Sequence, residues 1–192
     1  MYKVAIFASG SGSNALKIIN FFKKSDLAQV VLVLSNNENA GVKQHANAHN
    51  IDFKYVKNDI WRNNPEQIVS LLEDAKVDLI ILAGFLLLIP DLLIKSFSNR
   101  ILNIHPALLP EFGGKGMYGM NVHKAVKAEA KKETGMTIHL VNEKYDDGEI
   151  LFQAKVLIDE EDDAESIQKK VLNLEHEWYP KIIERFIKER LN

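Results

Sequence analysis

The short segment Asn103-Ile104-His105-Pro106 carries two side chains whose types and spacing suit catalysis. It ends an apolar run, and in an extended strand residues 103 and 105 point to the same side. An amide donor beside a protonated histidine can stabilise an oxyanion and move a proton. The same pattern also arises where an asparagine and a histidine only satisfy each other's hydrogen bonds. The pair is therefore a candidate for acid–base chemistry.

A loop rich in glycine and serine, residues 9–14 (SGSGSN), follows the first apolar run and precedes a helical pattern. The unpaired amides and the dipole at a helix start favour an anion, so the loop suits a phosphate or phosphosugar as well as a plain turn. It also fits the dinucleotide pattern loosely, as G-x-G-x-x-A ending at Ala15. Ser35, Asn36 and Asn37 stand where that pattern expects an acid. A nicotinamide cofactor is therefore disfavoured.

The segment Tyr145-Asp146-Asp147-Gly148 has the composition of a turn. If the turn brings Asp146 to His105, the carboxylate would raise the pKa of the imidazole and keep it cationic. His139 and the same acidic residues would also be available to a metal ion, but the spacing matches no metal-binding motif. We therefore expect no metal.

Alternating apolar periods organise the first half of the chain. They predict strands at 3–8, 30–35, 52–56, 78–83 and 101–104, and helices at 13–24, 40–50, 65–76 and 90–97. This alternation indicates βαβ units and a Rossmann-like, doubly wound, mostly parallel α/β sheet with helices on both faces. Ligands bind at the carboxyl ends of such strands, so loops 9–14, 83–89 and 103–106 would form one cleft if the first and fourth strands are neighbours.

The second half of the chain has a different pattern. It predicts a loop at 107–119, a helix at 120–130, a strand pair at 134–141 and 149–158, and a long final helix at 163–191 bent near Pro180. No linker or repeat interrupts it, so residues 1–192 are interpreted as a single domain.

Composition limits the class of protein. The chain has 192 residues, 46% of them hydrophobic and 26% charged, and no cysteine, which excludes disulfides and thiolate metal sites. The net charge of −2 gives no basic field for nucleic acid. The longest apolar run, 79–94, contains Gly84 and Pro90 and is shorter than a membrane helix. Without a signal peptide pattern, we expect a soluble cytoplasmic protein.

Several ordered motifs together resemble the folate-dependent formyltransferase family, and within it the glycinamide ribonucleotide formyltransferases. They are GSGSN (10–14), LAGFLLLI (82–89), NIHPALLP (103–110), IHLVNEKYDDG (138–148) and LEHEWYP (174–180). The NIHP and LLP elements are shared with methionyl-tRNA formyltransferases and formyltetrahydrofolate deformylases, whereas the GSGSN loop separates the glycinamide enzymes from them. The resemblance covers nearly the whole chain.

The resemblance implies an enzyme of de novo purine biosynthesis. It would transfer a formyl group from 10-formyltetrahydrofolate, as co-substrate, to the amine of glycinamide ribonucleotide by direct attack and without a metal. Residues 1–106 would be the phosphate-binding half of one formyltransferase domain, and 107–192 the folate-site half. Its partners would be small molecules, and the protein would be a monomer or weak homodimer. The alternatives are another 10-formyltetrahydrofolate enzyme (sugar-nucleotide or tRNA formyltransferase, or deformylase) and a nonenzymatic nucleotide-binding Rossmann-like protein.

Carried over position by position, the resemblance also implies three groups of site residues. Asn103 and His105 would stabilise the oxyanion, and His105 would also move a proton toward the folate, held charged or oriented by Asp146. The phosphosubstrate would contact Gly12, Ser13, Asn14 and Glu175. The folate would contact Arg62, Leu86, Leu87, Leu88, Ile89, Asn103, Val141, Glu143 and Lys144. The loop 113–119 (GGKGMYG) is longer than the usual family form.

Overall fold

The computed structural model describes residues 1–191, whose strands form one seven-stranded sheet. In chain order the strands are β1 (Tyr2–Phe7), β2 (Ala28–Ser35), β3 (Asp52–Tyr55), β4 (Leu79–Leu82), β5 (Ile101–His105), β6 (Glu133–Leu140) and β7 (Ile150–Leu157). Their spatial order is β3-β2-β1-β4-β5-β6-β7. Strands β1 to β5 are parallel, whereas β6 is antiparallel to both of its neighbours. The predicted doubly wound, mostly parallel sheet is confirmed.

Helices cover both faces of this sheet. They are α1 (Ser13–Phe22), α2 (Val42–Ala48), α3 (Asn58–Asn63), α4 (Glu66–Asp74), α5 (Asp91–Ser96), α6 (Met120–Ala128) and α7 (Ala164–Phe186), followed by a π-helical turn at Ile187–Leu191. The final helix begins after Asp163, whose carboxylate accepts a hydrogen bond from the Ser166 amide at 2.8 Å, and it runs without interruption through Pro180. No helix within residues 1–191 is both long and apolar enough to cross a membrane.

The sequence pattern did not predict α3. Its six residues, NDIWRN, offer only two apolar side chains, too few to define a helical period. Burial of Trp61 holds the helix in place. The residue is 2% exposed, and its indole N–H donates to the Val56 carbonyl at 3.1 Å. Tertiary packing rather than local propensity therefore forms this element.

Two apolar layers hold the helices to the sheet. Successive residues of β1 point to opposite faces, so Val4 and Ile6 pack with α1, α2, α6 and α7, whereas Ala5 and Phe7 pack with α3, α4 and α5. The continuous apolar runs of the central strands follow from this burial on both faces. Both layers fix the strands whose carboxyl ends carry the polar residues described next.

The first and fourth strands are neighbours, as the predicted cleft requires. Ser9, directly after β1, joins the loops that follow them. Its backbone N–H donates to the Gly84 carbonyl at 3.0 Å, and its hydroxyl oxygen accepts from the Leu86 amide at 3.0 Å while donating to Asn36 at 2.6 Å. The loops after β1, β2 and β4 are thus held together at one edge of the sheet.

Candidate active site

A cleft of about 850 Å³ opens at the carboxyl ends of β1, β4 and β5. One end is lined by the loop between β1 and α1, and one wall by residues 84–89 after β4. Loop 114–119 and the turn after β6 also line the cleft, and α7 contributes Gln168, Leu172 and Glu175. The three loops that the sequence singled out therefore meet in a single cavity.

Asn103 and His105 lie on β5 with the parity that the sequence predicts, and β6 adds a second polar row beside them. The antiparallel register pairs Asn103 with His139 and His105 with Thr137. The Asn103 Nδ2 atom lies 3.1 Å from His139 Nε2, and His139 Nδ1 lies 2.8 Å from the Leu140 carbonyl. Because a carbonyl only accepts, His139 carries a proton on Nδ1, and its Nε2 atom faces Asn103.

Asp146 reaches this polar row from the turn between β6 and β7. Its Oδ2 atom lies 3.5 Å from His105 Nδ1, and its Oδ1 atom lies 3.5 Å from both Asn103 Nδ2 and His139 Nε2. The Gly114 amide donates to Oδ2 at 2.9 Å. Asp146 adopts φ of +53°, in a left-handed region that aspartate tolerates better than most residues. The structure therefore brings the three predicted catalytic residues together.

The protonation state of His105 differs from the sequence-based expectation. The side chain is 4% exposed, and this burial lowers the pKa of His105 below its usual value although the Asp146 charge and the Phe112 carbonyl act to raise it. The pKa of His105 therefore lies below its usual value and not above it as expected, because desolvation outweighs the single carboxylate. Burial also opposes ionisation of Asp146, but the contacts with His139, His105 and the Gly114 amide outweigh it and lower the Asp146 pKa.

The phosphate-loop residues lie at the start of α1. Gly12 adopts φ of +79°, and a Cβ atom there would lie 2.6 Å from the Val42 Cβ, so only glycine fits. Ser13 and Asn14 line the cleft, whereas Gly12 is buried beneath them against Val42. The first-turn amides of α1 have no helical acceptor, which leaves them free to bind an anion. No side chain caps α1.

Glu175 on α7 faces this loop. Its Oε2 atom accepts a hydrogen bond from Asn14 Nδ2 at 2.6 Å, although 161 residues separate the two in sequence. Burial raises the pKa of Glu175 to about 7, and the bond from Asn14 only partly opposes that effect. The Asn14 Oδ1 atom is buried without a partner within the described chain. A buried carboxyl and an unsatisfied amide oxygen therefore lie beside the first turn of α1.

Most of the residues that the resemblance assigns to a folate line the cleft. Leu86 and Leu88 are 53% and 46% exposed, which is unusual for large apolar side chains, and both line the cavity. The other predicted residues that line it are Leu87, Ile89, Asn103, Val141 and Lys144. Arg62 at the end of α3 and Glu143 are exposed and do not line it. The structure leaves those two without a defined role.

Two histidines of the site were not assigned a catalytic role from the sequence. His139 was considered only as a metal ligand, because its contact with Asn103 depends on the β5–β6 register, which no local pattern specifies. His123 on α6 also lines the cleft; it is 2% exposed, and its Nδ1 atom has no partner within residues 1–191. Burial, together with a smaller electrostatic interaction with the neighbouring His105, lowers the pKa of His123 to about 4, so His123 is neutral at pH 7.

Comparison with known proteins agrees with this geometry. Residues 2–183 match the family model described as formyl transferase. The chain is 41% identical over 194 residues to the chloroplastic phosphoribosylglycinamide formyltransferase of Arabidopsis thaliana, a match that covers 98% of this chain and 66% of that protein. It is 35% identical over 191 residues to the phosphoribosylglycinamide formyltransferase of Bacillus subtilis, covering 97% and 95%.

A solved structure shows the same fold. The phosphoribosylglycinamide formyltransferase from Anaplasma phagocytophilum superposes with a TM-score of 0.90 and 32% identity, covering 98% of this chain and 88% of that one. This chain spans only 62–66% of the length of the plant relatives that it matches. Since the family model covers nearly the whole chain and so does the bacterial relative, the chain belongs to the formyl transferase family.

Proposed function

We propose that this protein transfers a formyl group from 10-formyltetrahydrofolate to the amine of glycinamide ribonucleotide, a step of purine biosynthesis. The observation that carries the proposal is the layout of one cleft. The cleft is lined both by an anion-binding loop with Ser13 and Asn14 and by a catalytic cluster of Asn103, His105 and Asp146. A substrate with a phosphate at one end and a nucleophile at the other matches that layout.

The phosphosubstrate is bound at the α1 end of the cleft. The first-turn amides and the Ser13 hydroxyl donate to the phosphate, and the helix dipole favours its negative charge. Glu175 accepts hydrogen bonds from the ribose hydroxyls, and Asn14 holds the Glu175 carboxyl in place through the 2.6 Å bond. Gly12 supports the loop by allowing it to approach Val42 closely.

The folate is bound along the other wall. Exposed Leu86 and Leu88 offer apolar surface to a pteridine ring, with Leu87, Ile89 and Val141 beside them. Because leucine side chains supply no polar groups, the backbone of residues 86–89 would satisfy the ring's donors and acceptors. Lys144 lines the cleft and gives a positive charge for the acidic tail, with Glu143 adjacent, and Arg62 is a second, more distant candidate.

The chemical step requires a stabilised oxyanion and a path for one proton. The Asn103 amide donates to the oxygen that becomes negative as the amine attacks, and losing such a donor typically costs about 3–4 kcal/mol. His105 is neutral before the reaction and carries its proton on Nε2, so it takes up the amine proton at Nδ1. Asp146, 3.5 Å away, stabilises the resulting imidazolium until the proton passes to the folate nitrogen.

Positioning supplies much of the remaining rate enhancement. A cleft that aligns two bound reactants can contribute about 7–11 kcal/mol, which suits a direct transfer without a covalent enzyme intermediate.

We propose that residues 1–192 act as one domain for this purpose, with 1–106 binding the phosphate and 107–192 completing the folate site. The predicted cytoplasmic location and the monomeric or weakly dimeric state remain predictions.

Turnover with defined substrates tests this proposal. Purified protein with glycinamide ribonucleotide and 10-formyltetrahydrofolate should release tetrahydrofolate and formylated product in equal amounts. Tetrahydrofolate and formate released without the amine would instead indicate a deformylase. Ligand-dependent thermal stabilisation without any turnover would indicate a nonenzymatic nucleotide-binding protein, and either result would overturn the proposal.

A further inference from the structure

The loop segment Phe112–Gly114 contacts both members of the His105–Asp146 pair through its backbone. The His105 Nε2 atom donates to the Phe112 carbonyl at 2.7 Å. The Gly114 amide donates to Asp146 Oδ2 at 2.9 Å, on the same carboxylate oxygen that faces His105 Nδ1. A carbonyl and an amide only two residues apart therefore hold the imidazole and the carboxylate from one side.

The conformation of this segment is uncommon and closely packed. Phe112 adopts φ of +55°, which non-glycine residues rarely do, and Gly114 adopts φ of +92°. A Cβ atom on Gly113 would lie 2.6 Å from Leu109 Cδ2 and 3.3 Å from Asp146 Cβ. Unusual backbone angles persist only where surrounding contacts require them, and they concentrate at functional sites. Here each one serves to aim a polar backbone group at His105 or Asp146.

We propose that the backbone of Phe112–Gly114 is a positioning element of the catalytic pair, which fixes the tautomer of His105 and the orientation of Asp146. Because the Phe112 carbonyl can only accept, Nε2 keeps its proton in both states of the imidazole. The proton that His105 gains and loses is therefore the one on Nδ1, the atom that faces Asp146. The Gly114 amide holds the carboxylate in register with that atom. The proposal rests on the proposed formyl transfer.

The charged and titratable groups around His105 support this assignment. Asp146 and the Phe112 carbonyl favour its protonation, whereas burial and the neighbouring His139 oppose it. His123 on α6 is the other ionisable group that interacts with it. At unchanged burial, loss of the Phe112 carbonyl contact and a shift of the Asp146 carboxylate would each lower the His105 pKa. Displacement of the pair by the order of 1 Å is also expected to slow catalysis by up to about a hundredfold.

The chain contains a matched pair of glycines for testing this role. Gly114 and Gly116 have φ of +92° and +90°, and a Cβ atom on either would meet no other atom within 4 Å. Gly114→Ala and Gly116→Ala therefore introduce the same backbone strain at neighbouring positions of one loop. Only Gly114 donates to Asp146. The comparison separates positioning of the catalytic pair from the general stability of the loop.

We expect Gly114→Ala to lower kcat about tenfold or more with KM changed less than twofold, and to lower kcat several-fold more than Gly116→Ala does. Titration of the His105 ring proton by NMR should give a lower pKa in Gly114→Ala than in the wild type and in Gly116→Ala. Thermal unfolding should shift equally in both variants. Equal kcat values and equal His105 pKa values in the two variants would overturn the inference.

A second replacement covers the case in which Gly114→Ala does not fold. Glycolic acid at position 114, introduced by semisynthesis, exchanges the amide N–H for an ester oxygen and adds no side chain. It should lower kcat as Gly114→Ala does, because Asp146 loses the donor that orients it, whereas an unchanged kcat would contradict the inference. The NMR titration needs no turnover. A wild-type protein that transfers no formyl group would therefore refute the proposed function, whereas the NMR titration would still test whether the loop positions His105 and Asp146.

Discussion

The Nδ1 atom of His105 lies 3.5 Å from Oδ2 of Asp146, with both side chains largely buried at the carboxyl end of β5. Forty-one residues separate them in sequence. The end of β5 carries His105, the turn between β6 and β7 carries Asp146, and the loop 112–114 contacts both. Burial lowers the pKa of His105, whereas contacts with His139, His105 and the Gly114 amide lower the pKa of Asp146, so the pair favours a neutral imidazole beside an ionised carboxylate near pH 7. This arrangement is ready to receive a proton, and the proposed mechanism depends on it.

Removing the charge of Asp146 should impair the chemical step. Asp146→Asn keeps the size of the side chain but no longer stabilises the imidazolium, so kcat should fall by about a hundredfold or more, or roughly 3 kcal/mol. The neighbouring Asp147 is exposed and lies 3.7 Å from Lys144 Nζ, which makes Asp147→Asn a matched control. Steady-state kinetics at saturating substrates provide the measurement. Similar kcat values for the two variants would show that the negative charge of Asp146 has no effect on catalysis.

Substituting Gly12 should damage the phosphate loop. In Gly12→Ala the new Cβ atom would collide with Val42 at 2.6 Å and would be strained at φ of +79°, at a cost of about 1–3 kcal/mol. Gly10→Ala is the matched control, because no atom lies within 4 Å of a Cβ at that position. We expect only Gly12→Ala to lower the denaturation midpoint and to raise KM for the phosphosubstrate. Equal KM values would indicate that the loop is only a turn.

Glu175 should make stability depend on pH. Its pKa is about 7 in the folded protein and near 4.5 when unfolded, so the unfolded chain ionises first as pH rises. Stability is then full below about pH 4.5 and decreases until about pH 7, by at most roughly 3 kcal/mol. In Glu175→Gln this decrease should disappear. Urea unfolding of both proteins at pH 5 and pH 8 measures the difference, and parallel pH dependence would refute the raised pKa.

Tyr179 should stabilise the ends of the two central strands that border the cleft. Its fully buried hydroxyl lies 2.9 Å from the Leu82 carbonyl of β4 and 3.2 Å from the Leu102 carbonyl of β5. Tyr179→Phe should cost about 1–2 kcal/mol in the free energy of unfolding. Tyr2→Phe removes a hydroxyl that donates to the Leu191 carbonyl at the other end of β1. Only Tyr179→Phe should also lower kcat; a loss of activity confined to Tyr2→Phe would contradict this view.

The sequence could predict the features that depend on local pattern. The buried apolar runs of β2 and β4 identified central strands, and the spacing of Asn103 and His105 placed both side chains on one side of β5. Neighbours along the chain determine both of these features. The convergence of the loops after β1 and β4 was predicted only on the condition that these strands are neighbours, which the structure confirms but local pattern cannot show.

Features that depend on distant contacts could not be predicted in this way. The contact of His139 with Asn103 requires the antiparallel register of β6, and helix α3 forms around the burial of Trp61. The protonation of His105 depends on the balance between burial and the Asp146 charge, and a sequence shows only the charge. The backbone contacts of the Phe112–Gly114 loop leave no trace in residue type beyond the glycines.

Single-turnover transfer of a labelled formyl group tests the central claim most directly. With both substrates saturating, wild-type protein should move the label from 10-formyltetrahydrofolate to glycinamide ribonucleotide. His105→Ala should do so about a hundredfold more slowly or worse while still binding both ligands. His49→Ala, which removes a remote imidazole bonded to Asn20, should match the wild type. Equal transfer rates in His105→Ala and the wild type would contradict the account.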